Sequence, residues 1–241
     1  MSSIKRLIKK LYIKFKLATT KLPAVVLMLH SINAKENEKT EVNISRNKFI
    51  DLLDTIEKFE HLDAVVGVTG SGIALTFDDG RSDIYDEVYP LLKERQIPFT
   101  IFVTYNLLDE KGYLTKEQLL ELAEDELVTI GSHCMNHAVL AKHIADMQYG
   151  ELVGSKKALE ELLHRPVEHL AYPFGQYNQD TIKVIKENDA YKYAYVAGGC
   201  FVSKNNAFRY RLDRMNISNL YYAENIKLLK SVKQKLHYIC V

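Results

Sequence analysis

Cysteine is scarce in this chain: Cys134, Cys200 and Cys240 are the three among 241 residues. The number is odd and no two are spaced as CxxC, which argues against a disulfide framework and against a cysteine-held zinc knuckle. Long apolar runs are missing too, and none approaches the roughly 18 residues that span a bilayer. Net charge is nearly absent. The 32 Lys plus Arg stand against 31 Asp plus Glu, leaving +1, so no nucleic-acid partner is expected. Internal repeats and low-complexity tracts are lacking as well. The composition that is left, 47% hydrophobic and 26% charged residues, is that of a folded globular chain. Its length suits one large domain better than two.

The charge is unevenly spread. Residues 1–22 hold seven basic side chains and no acid, so the rest carries 25 basic against 31 acidic ones, a net of −6. In this segment Ile4, Leu7, Ile8, Leu11, Tyr12 and Phe15 recur at three and four residues, the stripe of an amphipathic helix. Arg6 and the lysines fill much of the opposite face. Lys9, Lys10, Lys14 and Lys16 interrupt any continuous apolar stretch, so the segment does not read as a secretory signal. Two readings stand. One is a basic helix lying on an anionic membrane surface; the other is a terminal helix packed on the domain. On both, the chain is expected in the cytoplasm, and on the first it is peripheral on the inner membrane surface. Residues 23–241 are read as one globular unit.

From residue 24 onward short apolar strands alternate with amphipathic helices. Strands are expected at 24–29, 73–77, 98–104, 127–130, 169–172, 193–197 and 210–217. Helices are expected at 49–59, 84–95, 115–123, 147–163, 181–187 and 222–237, the fourth with Glu and Lys on its outer face. Such alternation without a long linker predicts one α/β domain with a parallel sheet or barrel. His30, Asp78-Asp79, His133 and Tyr172-Pro173 each fall at the C-terminal end of an expected strand. In a barrel, that is the face where sites are assembled.

Two adjacent carboxylates at a buried strand end cost desolvation and mutual repulsion unless a cation or proton compensates. Asp78-Asp79 therefore reads either as half of a cation site or as a turn in which one Asp caps the next helix. His133 and His137, four apart, can reach one zinc-like ion from a helical turn or a tight loop; otherwise they are two unrelated histidines. A His-Glu-x-x-His site is not present, because Cys134 stands where the Glu belongs. Two histidines and one carboxylate make a three-ligand set that leaves a position for water. The aspartate pair could supply one ligand and one base.

The segments Thr76-Phe77-Asp78-Asp79-Gly80, Gly131-Ser132-His133-Cys134-Met135-Asn136-His137 and Ala171-Tyr172-Pro173-Phe174-Gly175 resemble the first three motifs of the polysaccharide deacetylases. These are the NodB-homology enzymes of carbohydrate esterase family 4, and the resemblance covers about residues 24–217. It implies a distorted (β/α) barrel. It also implies one divalent metal ion, zinc being expected, held by Asp79, His133 and His137, with Asp78 as general base. A metal-bound carboxylate does not readily accept a proton, whereas its free neighbour can. The backbone N–H that binds the oxyanion in the family would fall on Phe174.

The chain departs from the family pattern in places. Cys134 stands where Ser or Thr is usual, and Ala171 where an Arg normally precedes the Pro by two residues. The Tyr-Pro-Phe-Gly form resembles the poly-N-acetylglucosamine deacetylase branch. Arg214 is a candidate replacement cation, with a surface salt bridge as the alternative. The usual late strand ending in an acid His is also missing, since His237 sits in a Lys-rich helix. Residues 24–30 have the required form at the N-terminal side, which resembles a circularly permuted arrangement and makes His30 the expected general acid. The alternative is a strand-end histidine satisfied by backbone. His61, His143, His164 and His169 show no partner pattern. Tyr172 and Tyr177 are candidates to line a sugar cleft, whereas the Tyr191/Tyr193/Tyr195 alternation reads as one face of a core strand.

The resemblance thus implies a metal-dependent hydrolase removing N-acetyl groups from an amino-sugar-containing glycan or its lipid- or nucleotide-linked precursor. Two competitors remain: a deformylase of a lipid-linked amino sugar with the same machinery, and a non-catalytic glycan-binding protein retaining the fold, for which Ala171 and Cys134 speak. The basic segment yields a test of its own. Removing residues 1–17 is expected to release the protein from anionic vesicles, and attachment of the full chain should weaken as salt rises. Co-sedimentation at low and high salt measures both, and a full chain that ignores such vesicles at low salt would make the segment structural.

Overall fold

Successive residues of a strand point to opposite faces, and here the two faces differ in size. The structure, a computed structural model, describes residues 24–59, 62–63, 72–199 and 208–239. Its strands are β1 (Val25–Leu29), β2 (Leu62–Asp63), β3 (Ile73–Phe77), β4 (Phe99–Val103), β5 (Val128–Ser132), β6 (His169–Ala171), β7 (Tyr193–Tyr195) and β8 (Met215–Asn216). Val25, Leu27, Leu29, Ile73, Leu75, Phe77, Phe99, Ile101 and Val103 share the face that carries the main core. The other face is built from Ala24, Val26, Ala74, Phe102, Ala171, Tyr195 and Leu212, a second and smaller cluster. Large aliphatic side chains call for helices over them. Small ones let the sheet curl inward until its own side chains fill the middle.

The helices that cover the large face are α1 (Arg46–Ile56), α2 (Tyr89–Glu94), α3 (Lys116–Ala123), α4 (Ala145–Tyr149), α5 (Ser155–Leu163), α6 (Gln179–Glu187) and α7 (Tyr222–Ile239). Their starts are chemically marked. Ser45 accepts from Lys48 N at α1, and Thr115 with Gln118 forms the reciprocal capping box at α3 that the sequence foreshadows. All paired strands run parallel, in the order β7-β6-β5-β4-β3-β1-β8, with β2 beside the start of β3. Burial on both faces explains why these strands read as nearly continuous apolar runs.

The two edges of the curl are brought together by one segment. Leu212 bridges Tyr195 of β7 in parallel, and shortly afterwards β8 pairs with Leu27 and Met28 of β1. The strand ending in His30 therefore lies between β3 and the last strand. A strand over the whole of 210–217 does not form; only Met215–Asn216 is regular, because the segment divides its hydrogen bonds between two different neighbours. β2 has two residues and carries no periodicity that a sequence reading could find. The expected helix at 147–163 begins earlier, at Ala145, and is interrupted by a π-helical turn, Gly150–Gly154. That turn buries Glu151 together with Leu152 and Val153, so this glutamate is not on the outer face. The expected basic helix of residues 1–22, and His61, lie outside the described residues. Among the described residues no helix is long and apolar enough to cross a membrane.

The filling of the curl depends on one glycine. A Cβ on Gly131 would come 2.6 Å from the Phe102 ring, closer than atoms approach without displacement. Gly131→Ala is expected to lower stability by about 1–3 kcal/mol, the usual cost of overpacking, as read from the midpoint of urea denaturation. A midpoint equal to wild type would show that Phe102 has room to move.

Candidate active site

The period of two that builds the strands also aims the site. Thr76, Met28 and Gly131 lie on the inward face, and the residues two further along are Asp78, His30 and His133. Ladder hydrogen bonds hold these ends in place: Asp78 N donates to Leu29 O at 2.9 Å, and His133 N to Val103 O at 2.7 Å. Beyond the strand ends the backbone turns sharply. Asp79, Cys134, His137 and Phe174 are four of the eight non-glycine residues with positive φ among the described residues. Each costs of order 1–2 kcal/mol against ordinary backbone, and such costs concentrate where a site over-determines the chain.

Asp79, His133 and His137 come together, their candidate ligand atoms all within 4.8 Å of one another. Asp79 Oδ1 lies 3.3 Å from His137 Nε2 and 3.6 Å from His133 Nε2. This oxygen is buried and accepts no hydrogen bond of ordinary geometry. His133 Nδ1 meets Ala171 O at 2.7 Å, which fixes the ring with Nε2 toward the aspartate, as a ligating histidine requires. Burial pushes the His133 imidazole down to about 4, so it is neutral near pH 7, the form that binds metal. Burial opposes ionisation of Asp79, but the close approach of the His137 imidazole and the neighbouring histidines outweigh it and hold the carboxyl well below its ordinary range. A donor set of two imidazoles and one carboxylate oxygen, already converged on one point, fits a divalent ion.

Asp78 has the opposite arrangement: every oxygen is taken. Arg214 grips it through Nη1–Oδ1 at 2.6 Å and Nη2–Oδ2 at 2.7 Å. The guanidinium also reaches Thr76 Oγ1 (3.2 Å) and Val196 O (3.3 Å), and stacks 5.2 Å over the Phe102 ring. Arg214 is fully buried, so the surface-salt-bridge alternative fails. Burial disfavours the ionised carboxylate, yet the Arg214 charge and its paired hydrogen bonds outweigh that and lower the Asp78 pKa. His30 directly follows β1, the parallel neighbour of the strand that ends in Asp78. Its Nδ1 is buried with no hydrogen-bond partner, so backbone does not satisfy it there.

Phe174 sits in the turn Pro173–Gly175, its ring 4.6 Å from that of His137 and 58% exposed. The turn is locked by Gly175, where a Cβ would lie 2.6 Å from Ala197 N. Tyr172 does not line the cleft. It is fully buried, donates to Tyr210 O and stacks on Tyr177. Tyr191 and Tyr195 are core residues as expected, and His169 is a half-sheltered strand residue stacked on Tyr193.

Two supports have no counterpart in the sequence motifs. Arg81 donates from Nε to Asp79 Oδ2 at 3.3 Å and lies over the Tyr113 ring. Asp83 accepts from Ser31 Oγ (2.7 Å) and Ile32 N (2.8 Å), fastening the turn that comes after His30. Asp83 stands within one loop of the aspartate pair, so its proximity to the site is legible in the sequence; its partners, some fifty residues away, are not.

Residues 66–193, just over half of the chain, match the family model described as "Polysaccharide deacetylase". That stretch contains Asp78, Asp79, His133, His137 and Phe174 and leaves out His30 and Arg214. The chain is 32% identical over 146 residues to YxkH of Bacillus subtilis (strain 168), covering 61% of this chain and 51% of that one. It is 32% identical over 158 residues to a poly-beta-1,6-N-acetyl-D-glucosamine N-deacetylase of Staphylococcus epidermidis, covering 60% and 54%. The matches thus span about half the length of these relatives. Among solved structures, the Streptococcus pyogenes deacetylase PplD is similar in fold, with a TM-score of 0.75 at 24% identity over 86% of this chain and 98% of that one.

The buried pair sets a prediction. In metal-free protein, Arg214→Leu is expected to cost about 3–5 kcal/mol at pH 7, because it leaves a buried charge without its partner. With its pKa lowered, Asp78 contributes stability above the unfolded value that is lost as pH falls through the folded one. Without Arg214, burial alone raises that pKa, so the deficit of the variant should shrink as the medium is acidified and Asp78 takes a proton. Urea denaturation at pH 7 and pH 5 compares the two; a deficit independent of pH would exclude the charge pair as its source.

Proposed function

The chain belongs to the polysaccharide deacetylase family, and on that premise we propose that it is a metal-dependent hydrolase removing N-acetyl groups from an amino-sugar-containing glycan. One observation carries the reading: Asp79 Oδ1, buried and unpartnered, faces two imidazole Nε2 atoms beside a second carboxylate that is kept charged. Asp79, His133 and His137 would hold the ion, and their mixed nitrogen and oxygen donors suit zinc. When bound, a divalent cation polarises an amide carbonyl and acidifies water.

The remaining work falls to the chain's own groups. Asp78 would accept the proton of the attacking water. Its grip by Arg214 keeps it ionised and aimed, at the expense of basicity, so it serves best toward a water already made more acidic. The backbone N–H of Phe174 would donate to the developing oxyanion. His30, whose Nδ1 has no competing partner, would protonate the leaving amine, which cannot depart as an anion. The place of β1 beside β8 supports a circularly permuted origin for this acid. The named activity of the Staphylococcus relative supports N-acetylglucosamine as the sugar. The basic, apolar-striped residues 1–22 support a peripheral place on the cytoplasmic face of a membrane, where a lipid- or nucleotide-linked precursor would be the form met.

Acetate and formate release from N-acetyl- and N-formyl-hexosamines on oligomer, lipid and nucleotide carriers, with Zn²⁺ supplied, tests the reading. Acetate should appear, and a chelator should abolish it. Asp78→Asn should retain the metal and lose about 10²-fold or more in turnover. His30→Ala should slow the amide severely and an activated ester far less. Sugar binding without release of either acid would make the protein a glycan-binding module instead.

A further inference from the structure

Glu151 is a buried carboxylate with no part in the chemistry above. It lies in the π-helical turn Gly150–Gly154 and is 9% exposed. A π turn adds one residue to the helix and so rotates the turns before it by about 100° relative to those after it. In this turn the glutamate lies against the loop that joins the two histidines. Glu151 Oε2 accepts the backbone N–H groups of Met135 (3.1 Å) and Asn136 (2.9 Å), and Oε1 accepts from Asn136 Nδ2 (2.7 Å).

The loop so gripped would not hold this shape by local preference. Cys134 and His137, on either side of the gripped peptides, have φ of 67° and 57°, unfavourable for residues with a Cβ. The two histidines also differ in how they are fixed. His133 is buried and tied to Ala171 O, whereas the His137 side chain is 27% exposed, so packing alone does not set it. Asn106 completes the frame, donating from N to Met135 O (3.0 Å) and from Nδ2 to Asn136 Oδ1 (2.7 Å).

We propose that Glu151 is a positioning residue: its carboxylate presets the peptides of Met135 and Asn136, and thereby brings His137 Nε2 to Asp79 before any ion arrives. The inference rests on the reading of Asp79, His133 and His137 as the metal holders. Metal-free protein titrated with Zn²⁺ by calorimetry, and with Co²⁺ followed by its visible spectrum, tests it without any assay of turnover. Glu151→Ala should weaken Zn²⁺ binding about 10–100-fold, the usual effect of removing a group that orients a ligand, and should alter the Co²⁺ spectrum. Glu151→Gln keeps one oxygen to accept both backbone N–H groups but turns an NH2 toward Asn136 Nδ2, so it should bind between the Ala variant and wild type. A folded Ala variant with wild-type affinity and spectrum overturns the proposal, and so does a Gln variant as weak as Ala, since an acceptor restored to the two backbone N–H groups would then have brought nothing back. Should the Ala variant not fold, Glu151→Asp keeps the charge but withdraws the acceptors; wild-type affinity there is equally fatal. Wild-type protein that binds neither ion removes the metal reading, and the proposal with it.

Discussion

Two neighbouring carboxylates cannot both stay ionised in a buried mouth unless each is compensated separately. Asp78 and Asp79 meet that demand in different ways. Asp78 is answered completely and from within, by a guanidinium that occupies both of its oxygens and is itself sealed between Phe102, Thr76 and Val196 O. Asp79 is answered only in part: Arg81 takes Oδ2, and Oδ1 is left facing two imidazole nitrogens. The turn between the two residues makes the difference possible. At Asp78 the strand still dictates direction, and at Asp79 the backbone has gone to φ 74°, which sends the second side chain away from the first.

Much of the remaining architecture serves to keep those compensations apart. The inside of the curl is lined by Ala24, Val26, Ala74 and Ala171, small enough that an arginine and two aromatic rings fit where a TIM-like core would place aliphatic side chains. Gly131 yields the space for Phe102, and Phe102 in turn forms the platform for Arg214. A chain of steric permissions thus runs from a missing Cβ in β5 to the charged pair at the mouth.

The candidate metal holders and the proposed base are legible in the sequence because parallel strands end abruptly and their polar ends stand out against apolar runs: Phe77 before Asp78, Ile130 shortly before His133, Leu29 before His30. The positions of β1 and of β3 to β7 are legible for the same reason. Interactions that join distant segments through side-chain direction are not. Arg214 could be named from the sequence as a candidate cation, but what settles it against a surface salt bridge is its inward parity, one residue before the outward Met215, which no motif in Tyr-Arg-Leu-Asp-Arg reveals. Tyr172 adjoins the site motif in sequence, which suggests a cleft residue, but its ring falls on the core side. Glu151 is concealed because its partners are the peptides of a loop about fifteen residues earlier, a pairing that no helical periodicity marks.

The segment from Leu212 to Asn216 has a consequence for the order in which the protein becomes itself. Asp78 and Arg214 are 136 positions apart, and the segment carrying Arg214 is also the one that joins the two edges of the sheet. Contacts of such sequence separation form late, after the local strand–helix units have collapsed. During vectorial synthesis, strands β1 to β7 are made before the cation that grips Asp78 exists, so in the nascent sheet Asp79 already has Arg81 beside it while Asp78 has no guanidinium of its own. Closure of the curl and neutralisation of Asp78 are then a single event, and the arrival of the last strand works as a checkpoint that keeps an unfinished chain from presenting a finished site.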